Sequence, residues 1–335
     1  MTNRQKILVA RIGAFGDACM LAPMVRSLAR HHEVHWLIRD GYEPVIRGFP
    51  DVNCRLVGVA PGSDPGQPFP ADVVAALRRE RYDCLVDCSH WACVGWLARQ
   101  LDDVPVRATT HDPGQDALLA VDRGAEGTSA FNRVVTVPPG EHQTAKWRRL
   151  FRAACGVDIA PEWTLPDRRP LEPGEPLEVF LHPHAGKPEK IWPIGRFSRL
   201  LAGVARNRPV HCTVNGVRRR LVRGLSLRLF ASRVRLSVAP FDPSFTVLRA
   251  AVSRSHIAIG CDSGPMHFAS LLGVPSLVLY GRYPAAEFAP LWRSTAVEPP
   301  PGRDVDAVPV AAVAAALGGL VERLARPQEP LEGAA

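Results

Sequence analysis

The chain alternates short β-branched runs with amphipathic stretches, and it does so twice. In the first half the runs at 6–11, 34–38, 55–59, 82–87 and 104–109 read as strands, and in the second half those at 178–182, 210–214, 234–236, 257–260 and 276–280. Strands separated by helix-length segments cannot close as tight hairpins, so each half predicts an α/β doubly wound parallel sheet with helices on both faces. Between the first two runs Met20, Leu21, Met24, Val25 and Leu28 recur at helical spacing, which makes the opening unit strand, glycine loop, helix. Further helices are expected at 141–156, 194–205, 217–230, 243–253, 266–272 and 308–325, while 110–135 is rich in Gly, Asp and Ala without a clear period. Five prolines within 161–176 rule out regular structure there. The expected organisation is an N-terminal Rossmann-like domain at 1–160, a linker at 161–176, a C-terminal Rossmann-like domain at 177–325 and a flexible tail at 326–335. A chain of 335 residues is long enough for two such cores, and two cores imply a cleft between them.

Composition narrows the class. Hydrophobic residues are 46% and charged residues 22%, which excludes extensive disorder. A formal charge of +8 reads either as a solvated basic surface or as the mark of an acidic partner: a phosphorylated small molecule, an anionic membrane surface or nucleic acid. No basic run interleaved with aromatics supports nucleic acid, and none is expected as a partner. Eight cysteines at irregular spacing do not form a disulfide framework. Cys84, Cys88 and Cys93 are numerous enough for a metal, but the first two flank the apolar run Leu85-Val86-Asp87 of a buried strand, and no metal is assigned. The first apolar run is too short for a signal sequence and no stretch approaches a membrane span, so a cytoplasmic protein is expected, with possible peripheral contact at the inner membrane face.

Three constellations carry chemistry. The first is Ala10-Arg11-Ile12-Gly13-Ala14-Phe15-Gly16-Asp17, at the carboxyl end of a strand where doubly wound folds place ligands. Gly13 and Gly16 permit close backbone approach. Asp17 reads either as the N-cap of the helix or as an ionised carboxylate that takes a proton from a sugar hydroxyl. The second is Asp262-Ser263-Gly264-Pro265-Met266-His267, where a buried strand opens into a turn and a helix whose N-terminus suits a diphosphate. There Asp262 fixes the loop or accepts from a ligand hydroxyl, and His267 is either packed or offers its ring to a phosphate. The third is the loop 182–193, with His184, Ala185, Lys187 and Lys190 ahead of Trp192-Pro193; its lysines either neutralise a departing diphosphate or are solvated loop charges.

At these points the sequence resembles the heptosyltransferases, the ninth glycosyltransferase family. The resemblance rests on Arg11 with Gly16-Asp17, on the length of 183–193 with Lys190 and Trp192-Pro193, and on 262–267 followed by Ala269, Gly273, Pro275 and Tyr280-Gly281. It implies a GT-B fold in which the N-terminal domain binds the acceptor, through Arg11, Gly13 and Gly16, and the C-terminal domain binds the nucleotide sugar. It implies an inverting, metal-independent transfer of heptose or a related sugar from an ADP-sugar to an anionic glycan or glycolipid acceptor of lipopolysaccharide type, with no cofactor. Asp17 would then be the general base, and Lys190 with the helix start at 263–267 would stabilise the leaving nucleoside diphosphate. Two places depart from the family: His184 and Gly186 stand where glycine and Ser or Thr are usual, and Asn215-Gly216-Val217-Arg218-Arg219 puts arginine in place of an acidic residue. These keep open a different donor, a small-molecule acceptor, or a nucleotide-sugar binder without turnover.

Overall fold

The computed structural model describes residues 4–49, 52, 54–59, 68–113, 129–216 and 219–326, with the side chains of 219–221 left out. Beyond Arg326, the expected tail lies outside these residues, as do Val217 and Arg218, and the side chain of Arg219 is not described. The chain divides into two units, Met1–Trp163 and Thr164–Glu332.

The first unit holds six parallel strands in the order β3-β2-β1-β4-β5-β6: β1 (Lys6–Arg11), β2 (Glu33–Arg39), β3 (Arg55–Val59), β4 (Cys84–Asp87), β5 (Val106–His111) and β6 (Arg133–Thr136). Ile7 and Val9 of β1 pack into one core cluster and Leu8 and Ala10 into another, because successive side chains of a strand point to opposite faces. Helices therefore cover both faces: α1 (Phe15–Ala29), α2 (Glu43–Arg47), α3 (Ala71–Arg79), α4 (Ala92–Gln100) and α5 (Gln143–Cys155). Gly156 ends α5 at φ +73, the left-handed conformation expected of a helix-terminating glycine. The thiols of Cys84, Cys88 and Cys93 are all buried in these layers, and Cys84 lies 4.0 Å from Cys155.

The second unit repeats the plan. Its strands β7 (Leu177–His182), β8 (Val210–Asn215), β9 (Val234–Ala239), β10 (Ile257–Cys261), β11 (Ser276–Leu279) and β12 (Ser294–Val297) run β12-β11-β10-β7-β8-β9, the same order counted from the other edge. Its helices are α6 (Ile194–Val204), α7 (Arg219–Leu229), α8 (Thr246–Arg254), α9 (Gly264–Leu271), α10 (Ala285–Phe288) and α11 (Val310–Leu324). Residues 164–176 contain no helix or strand but are tied to this unit. Leu171 N donates to the Leu324 carbonyl at 2.7 Å, and Leu171 itself is buried.

In each unit the strand order reverses direction between the first strand and the fourth: between β1 and β4, and between β7 and β10. The loops leaving those strands diverge to opposite faces, so a crevice opens at their carboxyl ends, the place where doubly wound sheets bind ligands. All three constellations follow one of these strands.

Candidate functional site

In the first unit Asp17 is the third residue of α1, and the N-cap is Ala14 with no side-chain cap bond, so the capping reading fails. Asp17 Oδ2 instead meets Arg11 Nη2. The other guanidinium nitrogen donates to the Cys88 carbonyl at 2.5 Å and the Ser89 carbonyl at 3.3 Å, and the Arg11 guanidinium lies 5.8 Å from the Trp147 ring centre. Those carbonyls are held in place by Asp87, which accepts from the amides of Ser89 at 2.8 Å and His90 at 3.1 Å. Arg11 is 9% exposed and its reach is spent inside the protein, whereas the Asp17 side chain is 22% exposed. Arg11 therefore orients Asp17; it does not present a free cation to an acceptor. Gly13 lies over the Arg11 side chain, where an added Cβ would sit 3.4 Å from its Cζ, and Gly16 is buried within α1.

In the second unit the loops after β7 and β10 are bridged by Lys190, whose Nζ donates to Asp262 Oδ2 at 2.5 Å. The loop is anchored by Trp192, fully buried: its indole donates to the Val308 carbonyl at 3.0 Å and its ring stands edge-on to Phe197. A short 3-10 turn, Pro188–Lys190, carries Lys190 from that anchor to the crevice. His184 lies 6.5 Å ring to ring from His182, Ala185 packs on the core, and Lys187 is exposed.

Ser263 is the N-cap of α9, but its hydroxyl donates to the Cys261 carbonyl at 3.0 Å instead of capping the helix. Gly264 opens the helix and His267 lies in its first turn, 6% exposed. The strand beneath must be lean. A Cβ on Gly260 would lie 2.7 Å from both the His182 carbonyl oxygen and Met266 Sδ, so only glycine lets β10 pass this close to β7.

Two residues of this site carried no sequence assignment. Tyr283, in the loop after β11, accepts from Lys187 Nζ at 2.6 Å and places its ring centre 4.1 Å from Lys190 Nζ, so one aromatic ring holds both ammoniums together. Its only sequence signal is an aromatic following a strand end. The other is His182, whose Nδ1 lies 3.1 Å from Asn215 Oδ1. Because Asn215 Nδ2 donates to the Ala239 carbonyl at 3.3 Å, its oxygen must accept, which puts the proton of the neutral ring on Nδ1. Asn215, expected to bind donor, thus spends its amide bracing His182 and β9.

Burial pushes the His182 pKa down to about 4, against the hydrogen bond it donates to Asn215, which raises it. The unfolded chain then binds the extra proton between about pH 6.5 and 4, so the stability His182 contributes is full above pH 6.5 and is lost as pH falls through that window. Burial lowers His32, His35 and His256 in the same direction. We expect urea unfolding to show stability dropping between pH 6.5 and 4, and His182→Asn to remove about 2–3 kcal/mol of that drop. An unchanged slope in the variant would refute the assignment.

Two Rossmann-like doubly wound sheets of identical strand order, with polar loops at both switch points, are those of a GT-B fold. The sequence model of glycosyltransferase family 9 (heptosyltransferase) matches residues 72–297, and the chain belongs to that family. It is 23% identical over 298 residues to lipopolysaccharide heptosyltransferase 1 of Pseudomonas aeruginosa, covering 82% of this chain and 78% of that protein. Among solved structures it is similar to a family 9 glycosyl transferase of Veillonella parvula, with TM-score 0.71 at 15% identity over 96% of this chain and 98% of that one. It is also similar to the E. coli heptosyltransferase WaaC with ADP, with TM-score 0.68 at 15% identity over 94% and 99% of the two chains.

Proposed function

We propose that the chain transfers heptose or a related sugar, with inversion, from an ADP-sugar to an anionic glycan or glycolipid of lipopolysaccharide type. The carrying observation is the contrast between its two switch points. A diphosphate could in principle dock at either, since both offer a helix start beside a strand end. In the first unit, however, the Asp17 carboxylate stands in the first turn of α1 and repels an anion, and the adjoining cation Arg11 is buried and engaged. In the second unit Lys190 is likewise paired, with Asp262, but Lys187 joins it on Tyr283, so two ammoniums accompany one carboxylate next to the uncapped start of α9.

The donor diphosphate therefore belongs at 262–267 and the acceptor hydroxyl at Asp17. In the reaction Asp17 takes the hydroxyl proton as the acceptor oxygen attacks the anomeric carbon, and the bond from that carbon to the phosphate oxygen breaks. The charge that develops on the leaving nucleoside diphosphate is met by Lys190, Lys187 and the Gly264 amide at the start of α9, so the scheme needs no metal. A lipopolysaccharide heptosyltransferase among its relatives and a similar structure holding ADP support this choice of donor and acceptor class.

A ligand bound only by the folded protein raises its melting temperature. A thermal-shift series against ADP-, GDP-, UDP- and dTDP-sugars is expected to give its largest shift with the ADP-sugar. A larger shift with another base would overturn the donor, and no shift with any would overturn the reading.

A further inference from the structure

The net positive charge of this chain comes from one stretch. Residues 190–241 carry twelve Lys and Arg and no Asp or Glu, while the other 283 residues carry 29 basic and 33 acidic side chains. Outside that stretch the protein is thus mildly acidic. The stretch builds α6, β8, α7 and the edge strand β9, with α6 and α7 packed side by side on one face of the C-terminal sheet. On the outer surface of α6 and α7, Arg199, Arg206, Arg223 and Arg228 are exposed, and no carboxylate within the stretch is available to neutralise them; Arg235 alternates with Val234 and Leu236, which pack under those helices, and so stands on the other face of β9.

The same stretch carries most of the exposed apolar residues. Among the described residues the large hydrophobics that stand in solvent are Val134, Leu227, Phe230, Val238 and Phe241, and all but the first lie in this stretch. Phe230 is 91% exposed and Leu227 79%, while Leu225 and Leu229 of the same helix are buried. Helix α7 thus sends one apolar stripe into the core and a second into water. Arg223, Leu227 and Phe230 follow one another at i, i+4 and i+7, so guanidinium and apolar groups share a single outward ridge.

We propose that this ridge, with the β9 edge beside it, docks the enzyme on an anionic phospholipid surface. Arginines draw the face to the headgroups within a Debye length, and Leu227 and Phe230 enter the boundary between headgroups and acyl chains, the division of labour of an interfacial amphipathic helix. Attraction to nucleic acid would use the arginines and leave the two apolar side chains in water, which is why lipid is favoured over RNA. No helix among the described residues is long and apolar enough to cross a membrane, so contact of this kind is by a face. The inference draws on the proposed function only in that a glycolipid acceptor places the enzyme at a bilayer. Vesicle binding is measured without transfer, so the two readings fail separately.

The experiment is co-sedimentation of the full chain with vesicles of phosphatidylglycerol and phosphatidylcholine, or of phosphatidylcholine alone. Binding is expected to the anionic vesicles only and to weaken with salt. Each neutralised arginine lowers it about fivefold, so Arg223→Gln with Arg228→Gln, both on α7, should weaken it by roughly 25-fold. Leu227→Ser with Phe230→Ser should weaken it roughly tenfold with the melting temperature unchanged, since both side chains are already in water. Equal binding to neutral vesicles, or wild-type binding by both variants, would overturn the proposal. So would a serine variant that turns a dimer into a monomer with vesicle binding intact, or binding of polyadenylate that both arginines control while anionic vesicles are ignored.

Discussion

Replacing Asp17 with alanine is expected to lower the rate of transfer by about 10²–10⁴-fold and to leave the dissociation constant of the nucleotide sugar within about twofold. The expectation follows from position. Asp17 is partly exposed at the carboxyl end of β1, is not used as a helix cap, and belongs to a different unit from the lysines of the donor site. Its loss therefore removes a proton acceptor without removing a phosphate contact. Asp17→Asn should be as inactive, because the amide keeps the shape and cannot take the proton. Steady-state kinetics together with calorimetric titration of the nucleotide sugar checks both halves, and transfer near the wild-type rate in either variant would disprove the base.

The second large effect is expected at Lys190. Lys190→Ala should lower kcat/KM for the donor by about 10²–10³-fold, because the ammonium meets charge that grows as the diphosphate departs. Part of that loss has another origin. Asp262 is 10% exposed and paired with Lys190, so the variant leaves an unpaired carboxylate beside the place proposed for the phosphates. Adding Asp262→Asn to Lys190→Ala should therefore recover some of the lost donor affinity while kcat stays low. If the double variant is weaker than Lys190→Ala alone, Asp262 makes a contact to the donor that outweighs its repulsion.

The expected strands of the sequence coincide with ten of the twelve found, and the agreement has a physical basis. The central strands are buried on both faces, so β1, β7 and β10 read as unbroken apolar runs. The two strands that escaped notice, β6 and β12, are outer strands of their sheets with one buried residue between them, so neither had a hydrophobic pattern to read. The proline-rich stretch expected as a linker has no helix or strand at 164–176, but the units part at Trp163–Thr164 and that stretch packs on the second unit.

The sequence places its candidate site residues where a loop joins a central strand to a helix, and the structure has such loops after β1, β7 and β10, since that position depends on local sequence. Partners that arrive from elsewhere in the chain were not legible. The carbonyls of Cys88 and Ser89 that hold Arg11 lie 77 and 78 residues away from it, and Tyr283 stands 96 residues beyond Lys187. Arg11 and Asn215 were expected to touch ligand for the same reason. Nothing local tells that the first is committed to Asp17 and the second to His182.

The account stands or falls on where the diphosphate binds. A crystal of the full chain soaked with ADP tests this most directly. The β-phosphate is expected within hydrogen-bonding distance of Lys190 Nζ and of the Gly264 amide, at the start of α9. Density for ADP at the glycine loop 13–16 of the first unit, with the 262–267 loop empty, would contradict it.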